Sequence, residues 1–391
     1  MKSKKIPSYI QLFLTAIGLL SSDIHVSALP IIATYFHISG LMAQSSIMLF
    51  FCGTILSVAL FGFASDIYGR KPLVLLSIVF SILGSIVCAF STKYPLFLLG
   101  RGLQGLGAGG INIIGFAIIQ DCLNVKESSR ILSFLGTLLI LIPTLSPLIG
   151  GYILEALGWQ AIFQFMIILS ALALVIAITL LPETLMDRKQ KFNFNEALQE
   201  IKFLTKYPRF LKVILIYPIA SIGYWAFITK SSFIFNDVYH LNIQTYKYLI
   251  SLLVFIFAIG CFVSQFIIKY CTLSTTVKLG TFIALIGALV NIINFHPNYY
   301  FFILGNGLYL FAIGIIYAPS TALSFSIYDG ARGLVSSFRA SFIMLSSLIG
   351  SLFAQAIPDS TIYILSLLIS ATSIVIFALS TKIFSPINQM Q

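Results

Sequence analysis

The 391-residue chain is short of charge, tryptophan, histidine and cysteine. Charged residues make up 9% of it, against about 25% in an ordinary soluble domain, so a water-facing surface cannot be built from this supply. Disorder is excluded from the other side, because 35 Phe, 18 Tyr and a 59% hydrophobic share far exceed what an unfolded chain carries. The five cysteines (Cys52, Cys88, Cys122, Cys261 and Cys271) lie in or beside apolar runs with no CxxC or Cys/His spacing. They read as packing residues, and neither a disulfide framework nor a metal site is expected. His25, His37, His240 and His296 are scattered without HExxH or GxSxG contexts, which argues against a lipid-modifying enzyme. GxxxxGK[ST] is absent too, so the chain is read as a non-enzyme with no nucleotide site and no cofactor.

What the chain has is long hydrophobic runs. Twelve of roughly the length needed to cross a bilayer lie near 9–33, 44–64, 73–91, 95–119, 131–153, 160–182, 211–234, 247–268, 275–295, 299–325, 335–356 and 361–384. Period-two alternation is missing, so the expected fold class is an all-α membrane protein and not a barrel. The first run is too long for a removable signal peptide and lacks a small-residue cleavage site.

With the N-terminus placed in the cytoplasm, 19 of the 23 Lys and Arg fall on cytoplasmic connections and two, Lys93 and Lys247, on the other side. By the positive-inside rule both termini are expected in the cytoplasm. The net charge of +11 therefore reflects topology and attraction to anionic lipid, with no nucleic-acid partner.

The longest polar stretch, Asp187 to Lys212, falls halfway along. It divides the chain into a six-helix bundle over 1–184, a cytoplasmic linker with an amphipathic helix over 185–210, and a second bundle over 211–391. FLLGRGL (97–103) matches FILGNGL (302–308), and SPLIGG (146–151) matches SSLIGS (346–351). Such parallel self-similarity is the trace a duplicated transporter leaves, with a cavity between its halves.

The second and third runs are joined by Gly62-Phe-Ala-Ser-Asp66-Ile-Tyr-Gly69-Arg70-Lys71-Pro72. Glycine permits a sharp turn, Pro72 suits a first helical turn, and Asp66 and Arg70 can form a charged hydrogen-bonded pair. The segment resembles the GxxxD(R/K)xGRK signature of the major facilitator superfamily, with Ile67 where a basic residue is usual. Arg101 to Gly109 is similar to that family's RxxQGxGxx segment, and Leu181 to Thr184 to its LPET. Pro143, Pro147, Gly150 and Gly151 resemble part of an antiporter motif, although Ser146 replaces a glycine there. Asp23 to Pro30 and Gly314 to Pro319 resemble the twelve-span bicyclomycin-resistance (Bcr/CflA-type) drug:proton antiporters, with Ser27 in place of a proline and Lys230 in place of a small residue. The resemblance implies a fold of two pseudo-symmetric six-helix bundles, a monomer, and a place in the inner membrane of a bacterial-type cell. It also implies that Asp121 joins Asp66 and Arg70 in a cytoplasmic charge cluster, and that the helix bent by Pro143 and Pro147 seals against proton leak or simply serves packing.

Three charges fall within spans, where ionisable groups are costly and commonly functional. By residue count, Asp23, Arg101 and Lys230 all lie roughly 7–10 Å inside the outer boundary. Asp23 is read as the proton carrier and Arg101 as the group that holds its charge. A permanent Asp23–Lys230 bridge is the alternative. His25, two residues after Asp23, points away from it on a continuous helix and faces either a cavity or a helix contact. Gln104, Asn112, Tyr224, Trp225, Asn306 and Tyr309 join it as candidate cavity residues, and Arg339 is expected to snorkel to the headgroups.

The function expected on these grounds is proton-coupled export of a small organic compound by alternating access, of the multidrug type. Two alternatives stay open: export of an endogenous metabolite such as a siderophore or amino acid, and proton-coupled uptake on the same fold.

Overall fold

The computed structural model describes residues 6–123, 125–185, 208–293, 298–327, 332–358 and 362–383. The expected amphipathic helix of the linker lies outside them. Every regular element among the described residues is helical. Seven helices come first: α1 (Ile6–Asp23), α2 (Leu29–Tyr35), α3 (Gly40–Tyr68), α4 (Arg70–Phe90), α5 (Tyr94–Cys122), α6 (Val125–Leu157) and α7 (Trp159–Leu180). Six follow: α8 (Pro208–Phe233), α9 (Ile243–Tyr270), α10 (Leu273–Ile293), α11 (Tyr299–Ile327), α12 (Arg332–Ala356) and α13 (Ile362–Ile383). Among the described residues eleven segments are long and apolar enough to cross a membrane, α1 and α2 counting as one, and α6 adds a shorter apolar stretch over Leu141–Leu157. The chain divides into two compact units, Met1–Phe192 with Ile243–Tyr248, and Asn193–Asn242 with Leu249–Gln391.

The first span is not one helix. Pro30 has no N–H, and its ring crowds the carbonyl four residues back, which disfavours a regular α-turn over residues 26–29. The chain answers with a 3₁₀ turn, Val26–Ala28, and Pro30 sits in the opening turn of α2. Asp23 ends α1 at the edge of this break. The expectation of a continuous helix is thus corrected, and with it the argument that fixed His25 on the opposite face from Asp23.

Association inside lipid has little hydrophobic drive, so helices meet through small residues and polar side chains. The glycines show this in each unit with the same pattern. A Cβ on Gly84 of α4 would strike Gly100 O and Gln104 N of α5; one on Gly287 of α10 would strike Gly305 O and Tyr309 N of α11. Gly150 of α6 abuts Ile24 O, and Gly350 of α12 abuts Ile222 O. Even the span ends repeat: His37 and His240 both hold positive φ, at 52° and 51°. Polar side chains complete the packing. Gln11 Nε2 donates to Ile111 O at 2.7 Å across α1 and α5. Pro319 frees the carbonyl of Ile315 within α11, and Ser264 Oγ of α9 donates to it at 3.0 Å.

Candidate functional site

The first site lies at the junction of α3 and α4. Gly69 adopts φ +104°, in the left-handed region, and reverses the chain in one residue. A Cβ there would also displace Glu183 Oε2, the end of a flexible side chain. Glu183 follows α7 and caps α4 from outside: Arg70 N–H donates to its Oε1 at 2.9 Å and Lys71 N–H to its Oε2 at 3.3 Å. Its own neighbours Thr184 and Leu185 donate to Oε1 as well, at 2.9 and 3.0 Å. Burial pushes the Glu183 carboxyl up, but these four N–H bonds outweigh it and hold the group below the ordinary glutamate range.

Arg70 is the hub of the junction. Its Nη1 donates to Asp66 Oδ1 at 2.6 Å and to Ser65 Oγ at 2.7 Å, while Nε donates to Asp121 Oδ2 at 3.0 Å. The structure thus brings Asp66, Arg70 and Asp121 together, and Lys71 Nζ donates to Ile178 O of α7 at 2.9 Å. Gly62 sits a turn before the cluster with only ordinary contact to Ile113 where a Cβ would be. The capping role of Glu183 is invisible in the sequence, because the helix it caps is over a hundred residues away.

The second site surrounds the break after α1. Arg101 is fully buried on α5. Its Nη1 donates to Gln104 Oε1 at 2.6 Å and to Ser21 O at 3.1 Å, Nε reaches Ser46 O at 3.4 Å, and the guanidinium lies 4.6 Å from the Phe50 ring centre. Gln104 passes the chain on, with Nε2 donating to Ser85 Oγ at 2.8 Å. Asp23 is buried nearby and within electrostatic range of Arg101, yet the two make no ion pair. Instead Asp23 Oδ1 and Arg101 Nη2 are each buried without a hydrogen-bond partner. His25 is buried, with Nε2 3.3 Å from Ser46 Oγ and its ring 6.1 Å from that of Phe163. Onto this break α6 packs through Gly150, one turn beyond Pro147, whose carbonyl accepts a 3.4 Å bond from Ser27 Oγ. Pro143 and Pro147 both lie inside α6, and Gly151 packs on the aliphatic stem of Lys247.

The remaining candidates separate. Gln104, Asn306 and Tyr309 are fully buried and engaged in interhelical bonds, so they knit helices rather than line open space. Tyr309 OH donates to Ala220 O at 2.8 Å and lies 3.0 Å from Thr372 Oγ1; Asn306 Nδ2 donates to Asn291 Oδ1 at 3.3 Å. Asn112 keeps a buried Oδ1 without a partner. Tyr224 and Trp225 stack edge to face at 5.3 Å on α8, and Lys230 is fully buried on the same helix of the second unit. Arg339 departs from expectation: it is 5% exposed, enclosed by protein and not extended to headgroups.

The sequence matches the Major Facilitator Superfamily over residues 12–289. It is 32% identical over 270 residues to an uncharacterized transporter of Rickettsia felis, an alignment that covers 68% of this chain and 65% of that protein. It is 30% identical over 162 residues to the multidrug resistance protein MdtL of Citrobacter koseri, covering 41% of this chain and 42% of the relative. In fold it is similar to a D-xylose–proton symporter, with a TM-score of 0.77 at 14% identity over 95% of this chain and 96% of the other. The human organic anion transporter MFSD10 is also similar, with a TM-score of 0.66 at 18% identity over 96% and 99% of the two chains. The all-helical, multi-pass fold is the one these proteins share, and the chain belongs to the major facilitator superfamily.

Proposed function

We propose that this protein is a proton-coupled secondary transporter that exports a small organic compound across the inner membrane of a bacterial-type cell, as a monomer, by alternating access. The observation that carries the reading is the pair of unfilled groups at the α1 break, Asp23 Oδ1 and Arg101 Nη2. A buried polar atom left without a partner costs on the order of 1–3 kcal/mol, more when charged, so such an arrangement is retained where its partner changes. Moving the free N–H of Arg101 onto Asp23 stabilises the ionised carboxylate; withdrawing it favours the protonated one. Proton binding is thereby linked to helix position.

Export is supported by the antiporter-like α6, whose Gly150 seats it on the same break, and by the MdtL relative. Asp66, Arg70 and Asp121 act in the proposal as a cytoplasmic latch that one state holds and the other releases. Lys230, about five residues inside the end of its span by sequence, is assigned a secondary coupling role.

The test is expression in an efflux-deficient bacterium with drug-sensitivity profiling, followed by reconstitution into vesicles with an internal pH dye. Wild type is expected to raise tolerance to at least one compound and to move protons against it, and Asp23→Asn to do neither. Undiminished proton-driven transport by Asp23→Asn would remove Asp23 as carrier. Substrate and proton moving in the same direction would replace export with uptake.

A further inference from the structure

The chain after the central polar stretch is short of acid. Residues 211–391 contain eight Lys and Arg but only three carboxylates, Asp237, Asp329 and Asp359, and no Glu. A cation buried there has few anions to meet, and burying one without compensation is strongly unfavourable. Arg339 is such a cation. It stands near the start of the span-forming part of α12, 5% exposed, between Tyr217 of α8 and Tyr317 of α11. The guanidinium carbon lies 5.4 Å from one ring centre and 5.8 Å from the other, and the two rings meet edge to face at 4.9 Å. Cys261 of α9 is close enough to act on both phenols, so four helices of one unit converge here.

The hydrogen bonding is lopsided. Arg339 Nη2 donates to Tyr317 O at a long 3.4 Å, and Nη1 is buried with no partner. Among the described residues no side chain hydrogen-bonds either phenol hydroxyl, and no carboxylate lies in ion-pair range of Arg339. Arg339 Nη1 is therefore a buried donor without an acceptor, flanked by two phenol rings. One turn further along α8, Ser221 Oγ meets Ser346 Oγ of α12 at 2.5 Å and extends the polar strip inward.

We propose that this cluster binds the carboxylate of an organic anion with an apolar or aromatic body, and that such anions are the substrate class. A carboxylate supplies acceptors for Arg339 Nη1 and both phenols, and an apolar body suits the surrounding aromatic faces. The inference rests on the transport reading for its meaning but not for its test. By residue count Tyr217 and Tyr317 lie about seven residues inside the span ends that the positive-inside rule puts in the cytoplasm, roughly 10 Å deep, where an exporter loads its cargo.

The test uses the purified full chain in a neutral detergent, probed with 1-naphthoate, with its neutral amide, and with phosphatidylglycerol, by thermal stabilisation and direct titration. Naphthoate is expected to bind saturably and the amide about tenfold or more weaker, the worth of one charge-assisted bond. Arg339→Gln should lose the preference for naphthoate, Arg339→Lys should keep part of it, and Tyr217→Phe should weaken it while retaining the ring. If Arg339→Gln fails to fold, the Lys and Phe variants decide the question. Equal binding of acid and amide, or no loss in Arg339→Lys and Tyr217→Phe, overturns the proposal. So does stabilisation by phosphatidylglycerol alone, which would make Arg339 a lipid site. Asp23→Asn should still bind naphthoate, so failure of proton coupling and failure of anion binding are read separately.

Discussion

Gly150 of α6 lies directly against the carbonyl oxygen of Ile24, the residue that follows Asp23 at the end of α1. A methyl group on Gly150 would occupy the space of that oxygen, and a backbone carbonyl cannot rotate aside as a flexible side chain can. Gly150→Ala is therefore expected to push α6 away from the break. A cost of about 1–3 kcal/mol, typical of overpacking, should appear as earlier thermal unfolding in detergent, and transport should fall with it. Normal stability and transport in Gly150→Ala would separate α6 from the Asp23 site.

The two glycines that flank the signature segment should behave oppositely. Gly69 has positive φ, and a Cβ there would displace the Glu183 carboxylate that caps α4, so Gly69→Ala is expected to destabilise by roughly 1–3 kcal/mol. Gly62 lies within α3, where a Cβ would make only ordinary contact with Ile113. Gly62→Ala should leave stability unchanged or raise it by up to about 1 kcal/mol through helix propensity. A transport defect in a well-folded Gly62→Ala would then report a closer contact in another state of the cycle.

Glu183 confers a pH dependence with a defined sign. Its pKa is lowered in the folded protein, so the ionised form stabilises the fold above the ordinary glutamate range, and that contribution is lost as pH falls through the depressed value. Glu183→Gln should thus unfold earlier than wild type near neutral pH. Because the side chain is partly exposed, the difference should stay within about 1 kcal/mol, the size of a helix-terminus charge effect. Melting curves of the two proteins should converge as pH falls below the ordinary glutamate range and through the depressed value. A gap that persists in acid would assign the effect to lost shape rather than charge.

Arg70 and its acids should respond unequally. Arg70→Ala strands Asp66 and Asp121 together and is expected to cost roughly 1–3 kcal/mol. Asp121→Asn keeps the Asp66 and Ser65 bonds and should cost under about 1 kcal/mol. Arg70→Lys preserves charge but not the fork that reaches both sides, and should fall between the two. Thermal unfolding ranks them; equal losses in Asp121→Asn and Arg70→Ala would show that Asp121 alone carries the cluster.

Much of this was readable in order along the chain. Span length and composition determined an all-helical membrane protein, because lipid offers the backbone no other partner and each run is judged locally. Gly62 to Lys71 announced their turn, since φ preferences belong to single residues, whereas the break before Pro30 was not read from the sequence. Duplication showed in two short matches, while the paired left-handed histidines and paired glycine contacts became visible only with the backbone in place.

Partners far apart in sequence were decided by the tertiary structure alone. Asp23 and Arg101 were recognisable as buried charges, but only packing leaves them adjacent and unbonded, since hydrogen bonds depend on side-chain direction to a fraction of an ångström. Glu183 reaches α4 across more than a hundred residues. Arg339 reads in sequence as a residue bound for the headgroups, and it is enclosed because Tyr217 and Tyr317, on two other helices, close around it. Composition and local stereochemistry set which segments form and where they turn; which donors meet which acceptors is settled when the helices pack.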